Sequence, residues 1–393
     1  MTPQNSIFTV WGAALKQWDV LKDLSPSEQE DIRSFVVFWS GYSALYITSR
    51  DEVCGIGNNG VNLNLLGLTG THYRINKAEQ PVEIKCLSKK GLVAISMGVY
   101  LGAALDREGW LYWWGCVCEN YGEIRTPHLA SDFPRYTLVS CGAMFIAALS
   151  SDGWVYVWGR FWNTEKFFKE DPLLTTCYVT YLSCGVGHLA MVTNDGQVFT
   201  WGDGRLGQRG YSSYRYPEHD DIVRRAEIDA SCSVVKSGGH STLFLSTTGQ
   251  VWACGANNGS NGFLGVGSPE EVVRTPQRVA LPEPIMEVVA GWSGTLLTSY
   301  AALTENGSVY VWGKTDVPQL VTSVGTSLVG TFLGLSTPRD IMIQVRRPSL
   351  VPPTSSSSSS TPTSDSDRQD APKRGKFGNL KYLDLIKNHF NII

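Results

Sequence analysis

A short strand ending in Trp-Gly, or a close variant of it, recurs along the whole chain. The instances are FTVWG (8–12), DEVCG (51–55), LYWWG (111–115), VYVWG (155–159), VFTWG (198–202), VWACG (251–255) and VYVWG (309–313). Their terminal glycines lie 43 to 60 residues apart, a period that belongs to propellers and solenoids. Before five of these strands stands a two-residue turn: Glu108-Gly109, Asp152-Gly153, Asp195-Gly196, Thr248-Gly249 and Asn306-Gly307. Each turn follows a strand of small and apolar residues: LGAALD (101–106), FIAALS (145–150), LAMVTN (189–194), TLFLST (242–247) and SYAALT (299–304). Strand, turn, strand is a hairpin signal. The side chains alternate with period 2, which excludes helical solenoids.

Radial convergence of such hairpins explains their composition. Small residues as in Cys141-Gly142, Ala147-Ala148 and Cys184-Gly185 suit strands crowded at a central axis, so the LGAALD-type strands are expected to be the inner ones. The indoles are expected to fill the wider space between sheets. The first marker has no hairpin partner, and SVGTSLVGTFLGLS (323–336) has no Trp-Gly strand after it. Joining the two predicts an all-β, seven-bladed β-propeller over residues 1–347, closed by the N-terminal strand. Ser25-Pro26-Ser27-Glu28 reads as a capping box and predicts a short helix within 13–34.

Composition changes after Pro348. The stretch 348–376 is rich in Ser and Pro and is expected to be a disordered linker. In 377–393, Leu383, Ile386, Phe390 and Ile393 fall on one stripe of an amphipathic helix, the residues a tail-borne partner contact would use. Lys373, Arg374 and Lys376 form a short basic run, read as a solvated tail or an import signal.

Bulk features narrow the function. Net charge is −3, so no global positive field draws nucleic acid, and sequence-specific nucleic acid binding is not expected. There is no apolar run of about 18 residues and no basic n-region with an apolar h-region, so no membrane span or secretory signal is expected. Nine cysteines at irregular spacing read as reduced thiols of a cytoplasmic and/or nuclear protein. No P-loop, HExxH or GxSxG motif and no metal-ligand spacing is present, so no catalytic residue, metal or cofactor is expected.

The repeat unit, G-x-x-H-x-x-A-L-T-x-x-G-x-V-Y-x-W-G, resembles that of the regulator of chromosome condensation family. The fullest copies are CGVGHLAMVTNDGQVFTWGDGRLGQRG (184–210) and SGGHSTLFLSTTGQVWACGANN (237–258), and CGAMFIAALSSDGWVYVWG (141–159) also fits. The resemblance spans nearly all of 7–345. Kelch blades start after a Gly-Gly doublet and WD blades end in Trp-Asp, so both fit less well. The resemblance implies a propeller that binds proteins through its loops and, in the family's exchange factor, releases nucleotide from the small GTPase Ran. It assigns the partner-binding positions to His188 and His240, with Phe145, Trp292 and Tyr100 near equivalent turns. Arg160 and Trp162, in the loop continuing to Pro172, correspond to the family's protruding wedge. The family's turns often read G-x-D-H, whereas here they read Gly185-Val186-Gly187-His188 and Gly238-Gly239-His240 without a carboxylate. The first reading is therefore a non-enzymatic protein-interaction scaffold, with a small-GTPase exchange factor as the alternative. Chromatin association ranks below both, because residues 1–15 hold a single lysine rather than a basic arm.

Overall fold

The computed structural model describes residues 9–346 apart from 12–14, 17, 39–40, 61–63, 69–74, 116–123, 131–133, 160–171, 174–175, 213–218, 261–262, 293–297, 315–316 and 322–342. The linker 348–376, the helix expected in 377–393 and the strand expected in 323–336 lie outside the described residues.

The strands form six sheets, each a blade of a β-propeller. Blade 1 holds Ile32–Phe38, Ser43–Thr48, Val53–Asn58 and Lys77–Glu83; blade 2 holds Leu92–Met97, Leu101–Asp106, Leu111–Gly115 and Ile124–Leu129. Blade 3 has Tyr136–Cys141, Phe145–Ser150 and Val155–Gly159. Blade 4 has Val179–Cys184, His188–Thr193, Val198–Asp203 and His219–Arg225. Blade 5 has Cys232–Ser237, Ser241–Ser246, Val251–Ala256 and Val272–Arg278; blade 6 has Ile285–Trp292, Thr298–Thr304, Val309–Trp312 and Gln319–Val321. The hairpins of the repeat are the second and third strands of each blade.

Three expectations are corrected. The described residues build six blades, not seven. The first marker, Thr9–Trp11, runs parallel to Ile343–Arg346, which pairs antiparallel with Ile32–Phe38. A strand without a hairpin partner can only extend an existing sheet, so both segments add to blade 1. The second correction concerns which strand is innermost: the strand preceding each hairpin, not the LGAALD type, joins its counterpart in the next blade. The third is a register. Gly57, not Gly55, pairs with the start of its second strand as Gly115, Gly159, Gly202 and Gly255 do with theirs.

That register explains the marker glycine. Gly57, Gly115, Gly159, Gly202, Gly255 and Gly313 all have φ between 95° and 124°. A Cβ at Gly57, Gly115, Gly159, Gly255 or Gly313 would lie 2.1–2.5 Å from the carbonyl oxygen of Tyr42, Tyr100, Met144, His240 or Thr298, respectively. Only glycine tolerates both the angle and the approach. The preceding indoles pack between blades: Trp114 lies in the cluster shared by blades 1 and 2 and donates to Leu65 O at 2.9 Å, and Trp201 joins blades 3 and 4.

Neighbouring first strands are joined by a repeated polar contact. Ser96 Oγ accepts the Cys141 N–H (2.9 Å), Ser140 Oγ accepts that of Cys184 (3.0 Å), and Ser183 Oγ accepts that of Ser237 (3.0 Å). Each acceptor's carbonyl takes a second bond from the same partner, through Cys141 Sγ, Cys184 Sγ or Ser237 Oγ. Before blade 1, Pro26–Asp31 is the expected helix. Ser25 Oγ accepts from Glu28 N, and Glu28 Oε2 accepts from Ser25 N at 2.8 Å. Among the described residues no helix is long and apolar enough to cross a membrane.

Ser183→Ala leaves the Ser237 N–H buried without its acceptor. It is expected to lower unfolding stability by about 1–3 kcal/mol, read as the midpoint of a denaturant transition at unchanged slope. A loss below about 0.5 kcal/mol would contradict a structural role for this contact.

Candidate functional site

At one end of blades 2 to 5 the first strand turns into the second, and the third strand ends beside that turn. The turns of blades 2 to 5 are Gly98–Tyr100, Gly142–Met144, Gly185–Gly187 and Gly238–His240. They are tied to one another by backbone bonds. Val99 N and Tyr100 N donate to Ala143 O (3.2 and 3.1 Å), Ala143 N to Val186 O (3.0 Å), and Val186 N to Gly239 O (3.0 Å). Gly239 N continues to Thr298 Oγ1 of blade 6 at 2.9 Å. Val99, Ala143, Met144 and Val186 pack together over this ring. The turns thus form a rigid platform.

The two histidines that looked equivalent in sequence occupy different registers. His188 is the first residue of its strand and pairs with Gly202, as Phe145 pairs with Gly159 and Ser241 with Gly255. His240 sits one residue earlier, in the register of Tyr100, Tyr42 and Gly187. The strand-start register points inward: Phe145 is 1% exposed and His188 fully buried. Its ring lies over Gly185, where a Cβ would be 2.1 Å from Cε1; Gly142 makes the same room for Phe145. Thr242 Oγ1 donates its one proton to Gln208 O at 2.7 Å. The 2.9 Å contact from His188 Nε2 to the same oxygen must therefore be donated by the histidine, which assigns the neutral Nε2–H tautomer. Nδ1 then carries a buried lone pair without a partner. Burial, reinforced by the neighbouring His240, pushes the His188 pKa down to about 3. His188 is a blade-packing residue, not a surface contact.

On blades 1 and 2 the turn register points outward, whereas Thr298, at the same register of blade 6, is buried. Tyr100 is 38% exposed, and Tyr42, its counterpart on blade 1, is 64% exposed. His240 is half-buried, and burial lowers its pKa against the opposing Asp203 carboxylate, with Arg205 acting in the same direction as burial. Asp203, at the end of the third strand of blade 4, is itself buried and donates its N–H to Gly187 O at 2.8 Å. Arg205 grips its carboxylate in bidentate fashion, Nε to Oδ1 at 3.1 Å and Nη2 to Oδ2 at 3.0 Å. The guanidinium remains partly exposed beside His240. This face therefore combines tyrosine rings with a polar group of Asp203, Arg205 and His240.

Of the residues expected from sequence, Tyr100 and His240 lie on this face, and His188 and Phe145 lie beneath it. Trp292 ends the first strand of blade 6, at the register of Val99 and Val186; its side chain lies outside the described atoms. Arg160, Trp162, Leu383, Ile386, Phe390 and Ile393 lie outside the described residues. Sequence reasoning missed Tyr42, Asp203 and Arg205. Aligning Gly57 in place of Gly55 would have found Tyr42, and Asp203 directly follows a marker glycine. Among the described residues no group of three or more His, Cys, Asp or Glu side chains is placed to hold a metal ion. The seven described cysteines are free thiols, with burial pushing that of Cys54 up to about 11.

The buried histidine has a pH signature. Unfolding returns His188 from about 3 to its ordinary 6.5, so its contribution is fully present above 6.5 and fades as pH falls through that value. The loss runs at about 1.4 kcal/mol per pH unit. His188→Phe, which copies the blade 3 arrangement, abolishes this dependence. Between pH 7 and pH 5 the stability of the variant relative to the parent is expected to rise by about 2 kcal/mol, measured by denaturant unfolding. A constant difference would show that His188 titrates normally in the fold.

Residues 179–208 and 248–298 each match the Regulator of chromosome condensation (RCC1) repeat. Over 121 residues the chain is 31% identical to the secretion-regulating guanine nucleotide exchange factor of Bos taurus, covering 29% of this chain and 24% of that protein. Over 80 residues it is 41% identical to the regulator of chromosome condensation of Mus musculus, covering 20% and 17%. The matched stretches thus span about a quarter or less of these curated relatives. The solved structure of Prp20p from Saccharomyces cerevisiae superposes with a TM-score of 0.61 at 19% identity, covering 80% of this chain and 85% of that one. The chain is a β-propeller in which two stretches, 179–208 and 248–298, match the regulator of chromosome condensation repeat.

Proposed function

We propose that this chain is a non-enzymatic protein-interaction scaffold that binds a protein partner on the turn face. The observation that carries this reading is the placement of Tyr42 and Tyr100. They stand exposed at one register of neighbouring blades, and the Tyr100 turn is bonded through its backbone to that of the next blade. Tyrosine on a rigid platform offers large apolar area and a hydroxyl at little entropic cost, the character of interface anchors. Nuclear and cytoplasmic placement both agree with such a role.

A second reading is exchange of guanine nucleotide on a small GTPase. It is favoured by Asp203, Arg205 and His240 standing on the same face, since exchange is driven by polar groups that displace phosphate and metal contacts. The stretch matching the bovine exchange factor and the fold shared with Prp20p, described by its binding to Gsp1p and histones, agree with it. Chromatin association remains the weaker reading, because a net charge of −3 opposes attraction to nucleic acid.

Nucleotide-release kinetics on a panel of small GTPases, run beside cross-linking of the full chain in cell extract, separate the readings. The scaffold reading predicts unaccelerated release. It also predicts a cross-linked partner whose affinity falls about tenfold or more in Tyr42→Ala/Tyr100→Ala, with melting temperature little changed. Accelerated release that disappears in Arg205→Ala/His240→Ala would replace it with the exchange factor.

A further inference from the structure

Four Asn-Gly dipeptides occur in the chain: Asn59-Gly60, Asn258-Gly259, Asn261-Gly262 and Asn306-Gly307. The main-chain nitrogen that follows such an asparagine can attack its side-chain amide, because glycine has no side chain to hinder the approach. The fold closes this route at two of them. Asn59 is fully buried; its Nδ2 donates to Asn64 Oδ1 and Ile75 O at 2.9 Å each, and its Oδ1 accepts the Leu66 N–H at 2.8 Å. Gly307 donates its N–H to Thr304 O at 3.0 Å, and Asn306 Nδ2 donates to Glu283 Oε2 at 3.2 Å. Asn261-Gly262 lies outside the described residues.

Blade 5 repeats the Asn59 arrangement one residue before its own Asn-Gly pair. Asn257 stands two residues after Gly255, as Asn59 stands two after Gly57. Its Nδ2 donates to Ser268 O at 3.0 Å and Glu270 O at 2.9 Å, and its Oδ1 accepts the Leu264 N–H at 2.9 Å. The loop is therefore held by Asn257, and Asn258 takes the position that Gly60 fills in blade 1. Gly259 is exposed, and a Cβ on it would meet no atom within 4 Å. Among the described residues its N–H has no hydrogen-bond partner. The Ser260 N–H donates to Asn258 Oδ1 at 3.2 Å, which polarises the side-chain carbonyl and favours negative charge on that oxygen. The nucleophile is unengaged, and the carbon it attacks is activated.

We propose that Asn258 is a modification site, where the chain deamidates itself through Gly259. The Gly259 nitrogen bonds to Asn258 Cγ and gives its proton to solvent; the side-chain nitrogen takes up a proton and leaves as ammonia. Water then opens the cyclic succinimide. Breaking the bond from nitrogen to Cγ gives aspartate. Breaking the bond from nitrogen to the main-chain carbonyl carbon gives isoaspartate, which inserts a methylene into the main chain. One water is consumed and one ammonia released. Either product adds one negative charge to a chain whose net charge is −3. The charge arises on the turn side of blade 5, two residues beyond Ala256, whose N–H donates to His240 O at 2.9 Å. Glu270 and Glu271 are exposed in the same loop. The face that carries His240 thus acquires a carboxylate as the molecule ages.

The full chain, held at mildly alkaline pH and sampled over days both folded and in guanidinium, tests the site. Digestion and electron-transfer fragmentation follow each asparagine separately and distinguish isoaspartate from aspartate. In the folded chain Asn258 is expected to convert about tenfold or more faster than Asn59 and Asn306, which react only after local opening. In guanidinium the three rates should converge. Gly259→Ala should slow conversion of Asn258 about tenfold or more. Its melting temperature should stay near that of the parent, because the added methyl meets nothing. Equal rates at the three sites in the folded chain, or a difference that persists in guanidinium, would overturn the proposal. So would a rate at Asn258 that Gly259→Ala leaves unchanged, or conversion at Asn261 with Asn258 intact.

Discussion

The turns of blades 2 to 5 are positioned by the sideways bonds between their first strands. A β-sheet normally spends its polar groups on its own ladder, and neighbouring blades meet through apolar faces. Here Ser96, Ser140 and Ser183 each accept a backbone N–H from the next blade and offer a carbonyl to the same partner's side chain. These contacts lie deep in the fold, where an unmade bond costs the full desolvation of the group. They set the rotation of one blade against the next. The turns above and the hairpins below inherit that rotation, each through its own backbone bonds to the following blade.

One residue of register separates structure from surface. At the strand start a side chain folds over the turn glycine and disappears between blades, whether it is Phe145 or His188. One position earlier it emerges, as Tyr42, Tyr100 and His240 do. A histidine at the first register must be neutral and bonded to survive, and Thr242 provides that bond. A histidine at the second register keeps access to solvent and to the Asp203–Arg205 pair. The chemistry offered to a partner thus follows from backbone pairing, before any question of which partner it is.

Much of the fold was legible because the hairpin is a local object. Turn glycines and alternating strands lie within about twenty residues of one another, and the register of pairing follows from them. The first and fourth strands were harder to see. VTYLSC and CSVVKS carry serine and lysine where an apolar run would be expected, because their polar groups bond sideways to a neighbour. IRTPHL and HDDIVRR are outer strands whose exposed edges leave little alternation. Blade number is obscured for a related reason: the first marker carries the letters of a blade strand, but its three strand residues lack a hairpin partner and extend blade 1. The letters DEVCG around Gly55 resemble the marker, whereas positive φ and a carbonyl 2.1 Å from the missing Cβ identify Gly57. The same shift hid Tyr42. Asp203 and Arg205 were invisible as a pair with His240 because they come from different blades.

The central claim is that the first strands behave as one cooperative unit through these sideways bonds. Native-state hydrogen exchange of the Cys141, Cys184 and Ser237 amides tests it most directly, since each is donated across a blade boundary. The account predicts one shared opening free energy for all three, equal to that of global unfolding by denaturant. Opening energies that differ from blade to blade, with any of the three amides exchanging well below the global value, would contradict it.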